Sequence, residues 1–368
     1  MGTTVAIIGG GYGGAALAKA LDPDFEVVLI DPKDSFEHAV AALRGLVSAP
    51  WAERMYYGFD RLLTRGRFVR GRAASVDEDG VTLADGSRIE ADFTVLASGS
   101  SYPYPAKSGV DDTAEALLRQ ADTRDQLALA QRVLLIGGGP VGLEFAGEIA
   151  EQWPDKRVTV LDSAEDILGG QFLPGLRTAL REQLDALGVQ LVLGSPLIEL
   201  PPTEPGRYAP FSAFTEAGDL LAADIWFRCH GVRPNSVALA GALAGAARPD
   251  GFVEVDDRLR IRGSARVFAI GDITALPEPK RSKAATDHAV VAAANIRALA
   301  AGRPADTAHR PGPAAIIVPL GSTGGASQVP GPDGPVVLDA AATAQYKGGD
   351  LLTGRYQELF SAGVPTAS

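Results

Sequence analysis

One cysteine, Cys229, is all the thiol this chain of 368 residues carries. A single thiol excludes an internal disulfide, a dithiol redox pair and a thiolate metal cluster, and with them the disulfide reductases. Cys229 closes an apolar run, 225–229, and reads as a buried, unreactive side chain. Histidine is equally sparse: His38, His230, His288 and His309 lie scattered without metal-ligand spacing, so no metal is expected. Long hydrophobic runs are missing too. A spanning helix needs about 20 apolar residues, and the most hydrophobic late stretch, 314–320, is of strand length. Positive charge is in deficit: 34 Lys and Arg stand against 45 Asp and Glu, for a net charge of −11. That balance argues against a nucleic-acid surface and disfavours tight binding to anionic lipid. The first strand pattern begins almost at residue 1, and position 6 is Ala6, which breaks the myristoylation pattern. A cytoplasmic protein without a transmembrane segment is expected, with peripheral membrane contact and a homodimer left open.

Glycine, by contrast, is plentiful. Two fingerprints, Gly9-Gly10-Gly11-Tyr12-Gly13-Gly14 and Gly137-Gly138-Gly139-Pro140-Val141-Gly142, each follow an apolar strand pattern and open an amphipathic run. Each run leads to a second strand pattern that ends in an acid: Asp31, 22 residues after Gly9, and Asp162, 25 residues after Gly137. In such a unit the first glycine allows the tight turn, the second lets backbone approach a pyrophosphate, and the third lets helix pack on strand. The pyrophosphate rests on the helix N-terminus, and the acid accepts hydrogen bonds from a ribose 2′-OH. A lone glycine motif occurs by chance in a chain this rich in glycine. Two complete strand–turn–helix–strand contexts point to two dinucleotides in one chain, usually a flavin and a nicotinamide.

The halves resemble each other beyond the glycines. Asp92 is followed seven residues on by Gly99, and Asp224 seven residues on by Gly231; both stretches read as a hairpin feeding a buried strand. A later apolar run, 266–270, ends in Gly271-Asp272 and precedes a helical pattern over 287–301. It lies beyond the second fingerprint, so the first nucleotide domain is expected to be discontinuous. The expected class is α/β: two Rossmann-like dinucleotide-binding domains with a small α+β C-terminal domain. The boundaries are 1–108 and 246–310 for the FAD-binding domain, 109–245 for the NAD(P)H-binding domain and 311–368 for the tail. The tail is rich in Pro and Gly, with strand-like runs at 315–318 and 336–338 and a segment, 351–360, that reads as strand or helix.

This arrangement resembles the two-dinucleotide-binding-domain flavoproteins, with Ala97-Ser98-Gly99 in place of an Ala-Thr-Gly turn and Glu144 behind the second fingerprint. Within that group it is most similar to the ferroptosis suppressor and apoptosis-inducing-factor-like family of FAD-dependent NAD(P)H:quinone oxidoreductases, related to type II NADH dehydrogenases. The residues that carry the likeness are Asp34-Ser35-Phe36-Glu37-His38 with Ala41-Ala42-Leu43-Arg44, then Pro279-Lys280 with His288-Ala289 and Ala294-Asn295-Ile296, and in the tail Lys347 with Asp350-Leu351. The resemblance implies an enzyme that takes hydride from NADH, or NADPH, to the flavin and passes electrons to a quinone or other small acceptor. It implies that Gly9, Gly11, Gly13, Gly14, Asp31, Ser98, Gly99, Gly271 and Asp272 hold FAD, and that Lys33, Arg44, Lys280 and His288 line the flavin. Gly137, Gly139, Val141, Gly142, Asp162 and Glu144 would take the nicotinamide nucleotide. Glu144, Lys280 and His288 are the candidates for a direct part in catalysis, His288 as a proton relay.

Each charged candidate has a plainer reading: Lys33 and Arg44 as solvated surface residues, His288 as a satisfied helix histidine. The chain also departs from its family at Lys283, where an aromatic residue is expected beside the flavin and its acceptor. An ammonium in that pocket would need water or an anionic partner, which favours a small hydrophilic acceptor. Two other readings share the architecture: a reductase for a small iron–sulfur protein, and a redox-sensing signalling protein.

Overall fold

A computed structural model describes residues 2–170 and 172–361. Its first sheet is five-stranded and parallel, in the order Val267–Ala269, Phe93–Leu96, Thr4–Ile8, Glu26–Asp31, Arg67–Arg70. The inner strands are near-continuous apolar runs because both faces are covered, one by helices Tyr12–Leu21 and Ser282–Ala300 and the other by the antiparallel strands described below, so no solvent face remains to supply polar alternation. Helix Tyr12–Leu21 packs along helix Ser282–Ala300, so the late segment returns to the sheet opened by the first fingerprint. A second parallel sheet runs Gln190–Leu193, Arg157–Asp162, Arg132–Ile136, Ile225–Arg228. Each half carries the antiparallel excursion its sequence implies: strands Ala73–Asp77, Gly80–Leu83 and Arg88–Glu90 in the first, and the Phe211–Phe214 and Leu220–Ala223 hairpin in the second.

The tail is an antiparallel sheet, Ile316–Leu320, Gly324–Gly331 and Gly334–Leu338, followed by short helical turns and helix Thr353–Ser361. The end segment is therefore helix. The middle strand, GGASQVPG, has no apolar alternation and is invisible to a period-2 reading. Ile316, Val318, Leu320 and Ala326 join the core of the second half. The approach is close: a Cβ on Gly147 of helix Pro140–Gln152 would lie 2.5 Å from Leu320 Cα, so only glycine lets helix and strand touch there. Cys229 is buried in the same core, and burial pushes its thiol up to about 12.

Candidate functional site

Both glycine turns stand at the C-terminal edges of their sheets, and each is built the same way. Helix Tyr12–Leu21 starts after Gly11 and helix Pro140–Gln152 after Gly139, neither with a side-chain cap. A Cβ placed on Gly11 or on Gly139 would meet nothing within 4 Å. Free N–H groups at a helix start, facing open space on a residue without a side chain, fit a pyrophosphate in each turn. The acids serve the turns first. Asp31 Oδ2 accepts from the Gly10 N–H at 2.6 Å and Oδ1 from the Lys33 N–H at 2.8 Å. Asp162 Oδ2 accepts from the Gly138 N–H at 2.5 Å and Oδ1 from the Ala164 N–H at 2.8 Å. Each carboxylate thus braces its glycine loop while keeping lone pairs for a ribose. Burial holds the Asp31 carboxyl above its ordinary range, against the pull of those two N–H groups.

Beside the first turn, the segment that leaves the second sheet after Arg228 is tied to the end of strand Phe93–Leu96. Ser98 Oγ donates to the Asn235 carbonyl at 2.7 Å, Asn235 Nδ2 returns a bond to the Ser98 carbonyl at 2.8 Å, and the Asn235 N–H reaches the Gly99 carbonyl at 2.9 Å. Ser100 Oγ donates to Asp272. Gly271, at φ +72, turns the chain just before Asp272, and a Cβ on Gly13 would lie 3.0 Å from the Ala285 carbonyl oxygen. The first glycine turn, the Gly271-Asp272 turn and the start of helix Ser282–Ala300 are therefore neighbours. That helix start is uncapped by any side chain, which favours negative charge in front of it.

The charged candidates are placed less freely than the sequence implies. Lys33 bonds Glu37 and Ser108 Oγ. Arg44 is no surface residue: it is 5% exposed, with Nε and Nη2 on Glu148 and Nη1 on the Gly348 carbonyl, so most of its donors are already committed away from a ligand. Lys280 donates to the carbonyls of Thr274 and Leu276, and burial lowers its pKa. His288 is fully buried, bonded through one ring nitrogen to Gly271 and through the other to Glu278. Glu144 forms a half-buried pair with Lys347 at 2.8 Å, and burial raises its carboxyl above the usual range despite that ammonium. Lys283 does not sit in an apolar wall. Its side chain is 82% exposed and paired with Asp287, so the conflict expected between its charge and a lipid tail does not arise there.

Sequence reasoning passed over Glu148, Lys107 and His309. Glu148 had a signal, since it follows Glu144 by one helical turn. Lys107 donates to the Ser100 carbonyl, with Asp272 and Glu37 as its nearest opposing charges. In the sequence His309 is one of four scattered histidines, but the fold sets it beside His288 and Glu278. Nothing in the spacing of residues 278, 288 and 309 announces that meeting.

Beside helix Tyr12–Leu21 an open cleft of about 320 Å³ is lined by Tyr12, Ala16 and Thr286 and, from the last helix, Arg355, Tyr356, Glu358 and Leu359. Behind it, His38 fixes the tail. Its Nε2–H donates to the Leu351 carbonyl at 2.7 Å, and its Nδ1 accepts from the Tyr12 hydroxyl at 3.1 Å. Burial pushes the His38 imidazole down to about 4, so the native protein holds it neutral while the unfolded chain protonates near 6.5. The unfolded state then binds the extra proton below pH 6.5, and stability falls as pH drops toward 4. Between pH 7 and pH 5 this group alone should remove about 2 kcal/mol. Urea midpoints at the two pH values measure the loss, and His38→Gln should flatten it.

A family model described as pyridine nucleotide-disulphide oxidoreductase matches residues 3–294. Ferroptosis suppressor protein 1 of Homo sapiens is 32% identical over 334 residues, covering 89% of this chain and 88% of that protein. Apoptosis-inducing factor homolog B of Dictyostelium discoideum is 28% identical over 371 residues, covering 96% and 95%. Among solved structures, the sulfide:quinone oxidoreductase of Aquifex aeolicus superposes with a TM-score of 0.77 at 18% identity, over 99% of this chain and 93% of that one. At that identity the likeness shows a shared fold. No helix among the described residues is long and apolar enough to cross a membrane.

Proposed function

The chain belongs to the pyridine nucleotide-disulphide oxidoreductase family, a family of flavin- and nicotinamide-dependent enzymes, and we propose that this member oxidises NADH through FAD and reduces a quinone or a similar small ring acceptor. The observation that carries this reading is the repeated, uncapped glycine turn at the C-terminal edge of each parallel sheet, each braced by its own aspartate.

The residues divide between the two nucleotides. Gly9, Gly11, Gly13, Gly14 and Asp31 form the first turn, and Gly271-Asp272 meets it from the other side; this is the FAD site. Gly137, Gly139, Val141, Gly142 and Asp162 form the NADH site, with Glu144 one turn into its helix. When bound, the flavin supplies a centre that accepts hydride at N5 and releases electrons singly or in pairs. The protein's part is position and charge. Lys280 and the uncapped start of helix Ser282–Ala300 place positive potential beside the first site, where negative charge develops on reduction. Glu144, neutralised by Lys347, keeps a half-buried carboxylate near the nicotinamide side without leaving a net charge. The Tyr12–Tyr356 cleft would take the acceptor: Tyr12, Tyr356, Ala16 and Leu359 give it apolar surface, and exposed Arg355 and Glu358 give it a polar edge of both charges.

Flavin-loaded protein tests both donor and acceptor. Asp162 would face a 2′-phosphate with no arginine next to it in sequence, so NADH should reduce the flavin about tenfold or more faster than NADPH at equal concentration. Stopped-flow bleaching of the flavin band reads that ratio; equal rates would show that Asp162 does not meet the ribose. Steady-state turnover with a tail-less quinone and with a polyprenyl quinone in detergent then identifies the acceptor class. A polar-rimmed, open cleft favours the tail-less quinone. Turnover with neither, beside rapid flavin reduction, would remove the quinone reading and leave a protein acceptor.

A further inference from the structure

Glu278, His288 and His309 converge from a loop, from helix Ser282–Ala300 and from the segment after it, and their side chains are only 7%, 1% and 6% exposed. His288 Nε2 lies 2.6 Å from Glu278 Oε1, and His309 Nε2 lies 3.2 Å from both Glu278 oxygens. Two imidazoles and a carboxylate are a zinc-like set of ligands, but the other ring nitrogen of His288 decides otherwise. The Gly271 N–H donates to His288 Nδ1 at 2.9 Å. Nδ1 therefore offers a lone pair, and in the neutral ring the proton belongs on Nε2, where it donates to Glu278. A metal-bound histidine has the opposite arrangement, with its ligating nitrogen bare and its other N–H donating to a carbonyl or carboxylate. To ligate through Nε2 while accepting at Nδ1, His288 would have to be an imidazolate. The geometry is that of a hydrogen-bonded chain: Glu278 to His288 to the backbone of Gly271.

We propose that His288 is a positioning residue for the Gly271-Asp272 turn: Glu278 selects the tautomer, Nδ1 holds the Gly271 N–H, and uptake of a proton by the ring releases the turn and weakens flavin binding. This rests on reading Gly271-Asp272 as part of the flavin site. Gly271 is buried at φ +72, and its N–H loses its acceptor if Nδ1 is protonated, leaving two donors face to face. The groups that face the ring are Glu278, which stabilises its charged form, and His309 and Lys280, which oppose it. Asp272, next to Gly271, accepts from Ser100 Oγ and faces Lys280, and Asp287, Asp256 and Asp257 pair with Lys283, Arg260 and Arg258. Burial is the largest influence and lowers the His288 pKa, so the neutral, holding form prevails at pH 7 and the turn is released only below the ordinary imidazole range near 6.5.

The two ring nitrogens can be tested separately. Asn carries its amide oxygen where Nδ1 lies, and Gln carries its amide nitrogen where Nε2 lies. The FAD dissociation constant is measured on the full chain by recovery of free-flavin fluorescence from pH 8 to pH 5, with circular dichroism at each point to confirm folding. Wild-type binding should weaken only below the ordinary imidazole range, by up to about tenfold once the ring is protonated. His288→Asn should bind within about threefold of wild type at pH 7.5 and lose the pH dependence, whereas His288→Gln should bind about tenfold more weakly already at pH 7.5. If the variants do not fold, nitrogen-15 NMR of histidine-labelled wild type still decides the tautomer. A protonated Nδ1, indistinguishable Asn and Gln variants, or stoichiometric zinc removable by a chelator would each overturn the proposal. Failure of wild type to bind FAD at any pH would instead overturn the assignment of the first nucleotide site.

Discussion

Arg44→Ala should lower the free energy of unfolding by about 3–5 kcal/mol, the cost of leaving one partner of a buried ion pair alone. Arg44 and Glu148 are both 5% exposed. The guanidinium meets the carboxylate through Nε at 2.9 and 3.0 Å and through Nη2 at 2.8 Å, and it spends Nη1 on the Gly348 carbonyl at 2.6 Å. Burial already raises the Glu148 carboxyl, and Arg44 is the main force that lowers it. Truncating the arginine strands that acid, a carbonyl of the tail and the Trp51 ring, over which the guanidinium sits at 5.0 Å. Three parts of the chain meet in this one side chain: short helix Ala42–Val47, helix Pro140–Gln152 and the turn at Gly348. The double variant Arg44→Met/Glu148→Leu should recover most of the loss, because an apolar pair needs no compensation. Urea unfolding followed by tryptophan fluorescence checks both. A single variant within 1 kcal/mol of wild type would mean that water reaches Glu148.

That pair also marks the limit of what the sequence discloses. The glycine turns are legible because every part of the signal is local: strand, turn, helix and closing acid fall within about thirty residues and obey the periods of their own elements. Asp31 and Asp162 are found by the same logic, yet their first task, bracing Gly10 and Gly138, is visible only in three dimensions. Arg44 and Glu148 are 104 residues apart, and nothing local couples them. The family resemblance singles out Arg44 but sends it toward the flavin, whereas the fold gives most of its donors to Glu148 and the tail. His288 is similar: a helical pattern places it on a buried face, but Glu278 and His309 arrive from loops whose course depends on how helix Ser282–Ala300 lies against the first sheet. In the tail, Gly324–Gly331 pairs as the central strand with small and polar residues, Ala326, Ser327 and Gln328, on its buried positions, so composition could not reveal it.

Gly142→Ala should give a yellow protein that NADH cannot reduce, and Gly14→Ala a protein without flavin. A Cβ on Gly142 would stand 1.9 Å from the Gly137 carbonyl oxygen, and a Cβ on Gly14 1.8 Å from that of Gly9. Both obstacles are backbone, so no rotamer change relieves them; the helix must move off its strand by an ångström or more. That movement shifts the helix N-terminus away from the pyrophosphate we propose it holds, and its N–H groups lose their geometry together. Since the two turns belong to different sheets, each methyl group should disable one site and spare the other. FAD content from the visible spectrum and flavin bleaching on addition of NADH separate the two outcomes, with dithionite reduction as the control that bound flavin remains reducible. If Gly142→Ala lost FAD while Gly14→Ala retained it, the two nucleotides would be exchanged between the halves. If both variants kept wild-type NADH bleaching, neither turn would hold a dinucleotide.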